Sequence, residues 1–265
     1  MLKNSQHINI TIITICYNAV DTIGATINSL IMQDYDNYQY IVIDGGSADG
    51  TLDVIKANSN KIDIWVSEPD KGIYNAMNKG LEKATGDFVY FLNAGDEFVD
   101  RYVLSNVASL LKDTVAEVFC GKVWVTNDIK NKQVIDTYPK YKIYKQNFRN
   151  LFDSSFCHQA LFVSRSAYLR VGGFDERFKI FADFYTIAKI IKDAKLPVYI
   201  DVFVAYFNGS GVSSDWRKLK QIESEKKGIF HLLAEDESPL KELLRAIKNR
   251  VFILKKNLLY ACFNR

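Results

Sequence analysis

The feature that most restricts the fold is an alternation running through the first hundred residues. Short, β-branched apolar runs at 8–15 (INITIITI), 40–43 (YIVI), 62–66 (IDIWV) and 88–92 (FVYFL) are separated by helical stretches at 21–32, 49–58 and 72–84. Runs that stay apolar without alternating are strands covered on both faces, and strands joined through helices lie parallel. The chain therefore predicts an α/β fold, a Rossmann-like, mostly parallel sheet with helices on both faces. Ile23, Ile27, Leu30 and Ile31 mark the inner face of the first helix, and Ile73, Met77 and Leu81 that of the third. Asp21 and Asp49 are candidate helix caps, and Thr85-Gly86 reads as a left-handed helix stop.

Past residue 100 the regular alternation ends. A helix at 102–111 precedes a strand at 116–126, with a hairpin partner at 133–138. Residues 139–156 are Lys-, Tyr-, Phe- and Asn-rich and read as partly irregular. A strand at 158–164, a short helix at 165–170, a Gly-Gly-Phe turn, a helix at 183–194 and a strand at 198–204 follow. Residues 1–215 are read as one domain with halves at 1–100 and 101–215, and 216–265 as a helical, basic, amphipathic tail.

Apolar residues make up 48% and charged residues 25%, a globular composition. The first residues enter a strand without a leader-like apolar segment, and no run of about 18 apolar residues occurs. The four cysteines, Cys16, Cys120, Cys157 and Cys262, have neither CxxC nor zinc spacing. Together these features predict a cytoplasmic protein. Residues 239–265 carry seven Lys or Arg against Glu242 alone, a charge of +6 in a chain totalling +3. The rest is thus net negative at −3, which argues against a nucleic-acid-binding body. In the tail, Leu240, Leu243, Leu244, Ile247, Val251, Leu254 and Leu258 fall at helical spacing. Such a basic amphipathic helix suits peripheral contact with an anionic membrane; packing on the domain or on a second subunit, as in a homodimer, is the other reading.

Polar or acidic segments follow the strands: Tyr17-Asn18, Asp44-Gly45-Gly46-Ser47, Glu68-Pro69-Asp70-Lys71 and Asn93-Ala94-Gly95-Asp96. In a parallel sheet these share one edge, where carboxylates can meet a base or ribose, glycines admit a close approach, and an acid can hold a divalent cation. Neither GxGxxG nor GxxxxGK[ST] is present, which leaves dinucleotide and P-loop readings unsupported.

The segments ITIITICYNAVDTIGATINSL, YIVIDGGSADGT, EPDKGIYNAMNKGLEKATGDFVYFLNAGD and GGFDERFKIFADF, taken in order, resemble the family 2 inverting glycosyltransferases of GT-A fold over residues 8–212. A late Gly-x-Ser-like loop at 209–213 extends the resemblance. It implies a mixed acceptor-side region after residue 100. It also implies that Thr14, Tyr17, Asp44, Lys71 and Asn93 bind the nucleotide, with Asp44 accepting a uracil N–H. Asp96 would be the ligand of Mg2+ or Mn2+; Asn93 and Gly95 stand where the family carries further acids. Asp183 matches the catalytic base, and His158 falls on the acceptor or diphosphate side, with a hydrogen-bonded structural histidine as its other reading. The implied partners are a UDP-sugar donor and a glycan or lipid-linked saccharide acceptor, in surface polysaccharide synthesis. Each site acid also has a structural reading: Asp183 as a helix cap, Asp44 and Asp96 as turn-formers, Asp70 as a support for Lys71, and Asp175 and Glu176 as turn residues. A sugar nucleotidyltransferase and an inactive scaffold protein are the alternative functions.

Overall fold

The computed structural model describes residues 7–112, 114–128, 131–138, 157–193, 197–209 and 216–234. The chain divides into two compact units, Met1–Leu219 and Lys220–Arg265. In the first unit, β1 (Ile10–Cys16), β2 (Tyr38–Asp44), β3 (Ile64–Ser67) and β4 (Phe88–Phe91) run parallel in the order β3-β2-β1-β4. They alternate with α1 (Ile23–Ile31), α2 (Thr51–Ala57) and α3 (Ile73–Lys83). The chain moves outward through β2 and β3, then returns to the other side of β1. Right-handed crossovers therefore put α3 on the face opposite α1 and α2. Ile10, Ile12, Ile13, Tyr40, Ile41, Val42 and Ile43 are all fully buried between these layers. Each such aliphatic side chain contributes about 1.5–3 kcal/mol.

Beyond β4, the short β5 (Glu97–Phe98) and α4 (Val103–Leu111) precede β6 (Val118–Asp128), β7 (Gln133–Tyr138), β8 (Leu161–Ser164), α5 (Arg165–Val171), α6 (Ala182–Asp193) and β9 (Val198–Asn208). Among the described residues the sheet has nine strands, continuing β4-β8-β6-β9-β5 with β7 on β6. β8 is antiparallel to β4, pairing Phe88 with Ser164 and Val89 with Val163. That reversal brings the residues before β8 to the rim where β4 ends. In the second unit the described element is α7 (Leu219–Ala234), which begins at the boundary. No helix among the described residues is long and apolar enough to cross a membrane.

Several local expectations change. The first helix starts at Ile23 after Thr22, and no side chain caps it, so Asp21 has no capping role. Gly86 is not left-handed; α3 ends instead on Ala84 in an extended conformation. Gly86 is required for contact: a Cβ there would lie 2.7 Å from Thr11 N and 2.9 Å from Asn9 O. On α3, Ile73 is 44% exposed while Tyr74 is 6% exposed. The inward row is Tyr74, Met77 and Leu81, whose spacing fits a helix as well as the row begun at Ile73. β5 was unforeseen, and β9 runs four residues past its expected end at Val204 because it pairs with β5 and β6. The irregular segment at 139–156 and the amphipathic helix at 240–258 lie outside the described residues.

Candidate active site

The strand order creates a crevice between the segments that follow β1 and β4, the place where α/β sheets receive ligands. On its β1 side, Tyr17 stands 67% exposed. Asn18 takes a left-handed φ of 48° and donates its backbone N–H to Ser47 Oγ at 2.7 Å, while Ala48 N donates to Asn18 Oδ1 at 3.0 Å. Gly50, not Asp49, is the N-cap of α2, with no side-chain cap; Asp49 just before it accepts from Thr51 N and Oγ1 and from Val20 N. Gly45 sits where these loops converge: a Cβ would be 2.9 Å from Asp70 Oδ2 and 3.3 Å from the Tyr17 ring.

Asp44 is fully buried, and its carboxylate accepts from Ser47 Oγ at 2.5 Å, Ser47 N at 3.1 Å and Ser67 Oγ at 2.6 Å. It binds the β2 and β3 rim loops together. Thr14, expected at the nucleotide, is instead fully buried inside the sheet; its hydroxyl donates to Leu92 O at 2.7 Å and meets Tyr40 Oη at 3.1 Å. β1 ends two residues later, so Thr14 lies within the layer rather than at its edge. Asp70 pairs with Lys79 at 2.6 Å, not with Lys71. Lys71 is exposed, its N–H donating to Asn75 Oδ1 at 3.2 Å.

On the β4 side, residues 93–96 form a tight turn in which Asp96 N donates to Asn93 O at 2.9 Å and Gly95 has a φ of 100°. Thr26 of α1 holds it, accepting from Gly95 N and donating to Asp96 O at 2.8 Å. Asp96 is 3% exposed and accepts from Asn208 N at 3.1 Å. Burial pushes its carboxyl up to about 7, against the opposing Asn208 N–H and the Gln159 amide.

Asp183 lies in the first turn of α6, where the helix dipole favours a carboxylate. His158 Nδ1 is 2.9 Å from its Oδ2, and the Tyr74 hydroxyl is 2.9 Å from its Oδ1. Burial raises the Asp183 carboxyl, but the His158 hydrogen bond, the Phe184 N–H and the Tyr74 hydroxyl outweigh it. The net result lies below the ordinary aspartate value, so Asp183 is ionised. The other face of His158 is also taken: Nε2 is 3.2 Å from Asn93 Nδ2. With that amide donating to Nε2, the tautomer that satisfies both contacts carries its proton on Nδ1. Both ring nitrogens of His158 are thus engaged within the protein, as in the reading of it as a hydrogen-bonded structural histidine.

Among the described residues no three His, Cys, Asp or Glu side chains form a ready metal cluster. The site does suit a hard cation that keeps most of its shell as water and phosphate oxygens. Its donors are oxygens: the Asp96 carboxylate, which is costly to charge when alone, and the buried Asn93 Oδ1, which has no hydrogen-bond partner.

Sequence reasoning missed Tyr74 and Asn208, and it read Glu176 as a turn residue without its partners on α3. Asn75 and Asn78 of α3 donate to Glu176 at 3.1 Å, and Phe174 N donates to Asn78 Oδ1 at 2.8 Å, fastening the 172–176 turn to α3. The repeated Asn at 75 and 78, three residues apart on one helix face, was the available signal.

The family described as glycosyl transferase family 2 matches residues 11–172. An uncharacterized glycosyltransferase of Mycobacterium tuberculosis is 32% identical over 212 residues, covering 77% of either chain. The Escherichia coli UDP-Glc:alpha-D-GlcNAc-diphosphoundecaprenol beta-1,3-glucosyltransferase WfgD is 31% identical over 120 residues, 45% of this chain and 47% of its own. Among solved structures, Staphylococcus aureus TarS 1–349 in complex with UDP-GlcNAc superposes with a TM-score of 0.74 at 19% identity, covering 92% of this chain and 72% of that one. Mannosyltransferase PcManGT from Pyrobaculum calidifontis, in complex with GDP-Man and Mn2+, gives 0.63 at 21% identity, covering 89% and 68%. These structures share the fold.

Proposed function

The chain belongs to glycosyl transferase family 2, and on that premise we propose that it transfers a hexosyl group from a UDP-sugar to a glycan hydroxyl with inversion. The observation that carries this reading is Asp183: an ionised carboxylate, fixed from two sides, on a cluster that reaches the β4 rim through His158 and Asn93. Asp183 takes the proton of the acceptor hydroxyl as that oxygen attacks the anomeric carbon. The bond from that carbon to the diphosphate oxygen breaks on the opposite side, UDP leaves, and one displacement inverts the centre. Exposed Tyr17 and Lys71 offer the base a ring and the diphosphate a cation. Asp44 shapes the loops beneath the base, and a base N–H would share an oxygen already holding Ser47 or Ser67.

Asp96 and Asn93 would hold Mg2+ or Mn2+, which would neutralise charge on the departing diphosphate. The acceptor is a growing, lipid-linked saccharide of a surface polysaccharide, a reading supported by the diphosphoundecaprenol substrate in the name of the E. coli relative. Residues 239–265, by their charge and spacing, would bring the enzyme to the inner face of the cytoplasmic membrane.

Calorimetry with UDP and GDP, with and without Mn2+, tests the donor. Metal-dependent UDP binding that weakens in Asp96→Ala is expected; if neither nucleotide binds, the reading fails. For the chemistry, Asp183→Asn is expected to lose roughly 10²–10⁴-fold in turnover while still binding UDP.

A further inference from the structure

The bonds around Asp183 have a direction that the reaction itself does not explain. His158 presents Nδ1 to one carboxylate oxygen at 2.9 Å, and Tyr74 presents its hydroxyl to the other at 2.9 Å. His158 comes from the segment before β8 and Tyr74 from the first turn of α3, so two separate elements reach the same carboxylate. Both side chains are enclosed: His158 is 19% exposed and Tyr74 6%. Behind His158, Asn93 sets the ring from the β4 turn. Tyr74 has a second acceptor as well, the Ile180 carbonyl at 2.6 Å.

We propose that His158 and Tyr74 are positioning residues for the Asp183 base, with Asn93 fixing the imidazole tautomer that lets His158 donate. The proposal rests on the reading of Asp183 as base. A carboxylate on a single bond rotates about its last torsion; two donors on different oxygens stop that rotation and aim the remaining lone pairs. Before transfer, His158 Nδ1–H and Tyr74 O–H both point to a carboxylate. When Asp183 takes the acceptor proton, the Tyr74 hydroxyl can turn its own proton to Ile180 O, and its oxygen can then accept from the new carboxylic acid. Tyr74 therefore keeps a hydrogen bond to Asp183 in both states, and no proton is lost from the set. Asn93 acts through His158: its amide nitrogen at Nε2 selects the Nδ1–H form, as the outer partner of a ligating histidine selects its tautomer.

The test uses the full chain with UDP-glucose and UDP-N-acetylglucosamine as donors, water as the acceptor, and released UDP as the signal. His158→Ala and Tyr74→Phe are expected to lower kcat roughly 10- to 100-fold, the cost of a misplaced catalytic group. Donor KM should stay within about twofold, since neither residue is assigned to donor binding. His158→Asn should recover part of the loss because its amide nitrogen falls near the Nδ1 position; His158→Gln, which mimics Nε2, should not. Retained kcat in His158→Ala, a loss confined to KM, or rescue by Gln rather than Asn overturns the proposal. UDP binding by calorimetry verifies that each variant is folded.

Nitrogen-15 NMR of the His158 ring in the resting protein gives a readout independent of turnover. A protonated Nδ1 and bare Nε2, with both signals moved by Asp183→Asn, supports the arrangement; a protonated Nε2 overturns it. If the wild type releases no UDP from either donor, the reading of the reaction is what fails. The tautomer measurement then decides alone whether the clamp exists.

Discussion

Two aspartates in this site show how position, not residue type, decides what a carboxylate can do. Asp183 is held by donors and lies below the ordinary value, whereas Asp96 is buried with fewer partners and is pushed up to about 7. For Asp183, the proposed base, the depressed value keeps the carboxylate ionised as pH falls, and its contribution is lost only as pH drops through the folded value. The acid limb of kcat/KM is therefore expected below the usual aspartate range near about 4, and His158→Ala should move it upward. A pH–rate series on both proteins checks this; an unmoved limb would dissociate His158 from the base. For Asp96 the sign is opposite. Its folded value exceeds the unfolded one, so its relative stabilisation is present below about 4 and is lost as pH rises through about 7. Asp96→Asn keeps an acceptor for Asn208 N–H without the buried charge. It should raise metal-free stability at pH 8, on the order of 1–4 kcal/mol, and leave it nearly unchanged at pH 4. Urea unfolding at the two pH values measures the difference. The sequence exposed both acids through their neighbours in the chain but not their opposite shifts, because those arise from His158, Tyr74 and Asn208, up to 112 residues away.

Elements were legible where one periodicity had one solution. The runs that became β1, β2 and β4 were recognisable because strands covered on both faces need no polar alternation. The inward row of α3 was not, since Ile73 and Tyr74 both fit the spacing to Met77 and Leu81, and only the sheet beneath the helix chooses between them. Gly86 likewise looked like a helix stop, yet its requirement is set by Asn9 and Thr11 on another strand. Gly80 is the helix counterpart, because a Cβ there would lie 2.5 Å from Ile13 Cγ2. Gly80→Ala should raise helix propensity but force α3 off β1, with a net loss of about 1–3 kcal/mol. Adding Ile13→Ala makes room for the new methyl, so the double variant should cost less than the sum of the two singles. Denaturant curves for the four proteins decide; strict additivity would mean that α3 does not rest on Ile13.

At the scale of the whole molecule, the site exists because the sheet changes character at β4. The parallel order β3-β2-β1-β4 delivers the rim loops, and the antiparallel β8 beside β4 returns the chain so that His158 reaches the same rim. The first half of that arrangement follows from βαβ alternation in the sequence; the second depends on a non-local pairing that no local pattern announces. The proposal of a lipid-linked acceptor also calls for a way to meet the membrane. The described residues contain no spanning helix, and the charge that could supply a contact is concentrated at 239–265. Each Lys or Arg near an anionic surface contributes about 1 kcal/mol, screened over about 8–10 Å at physiological salt. The full chain should therefore sediment with vesicles containing phosphatidylglycerol at low salt, less so at about 0.5 M salt, where screening shortens further. It should not sediment with neutral phosphatidylcholine vesicles. Reversing Lys241, Lys248, Lys255 and Lys256 to Glu turns the tail charge from +6 to −2 and should abolish sedimentation while UDP release from the soluble donor is unchanged. If the reversed protein sediments as well as the wild type, charge is not what holds the chain to lipid. If it fails to sediment but also changes from a dimer to a monomer in sedimentation velocity, the tail serves a second copy of the chain.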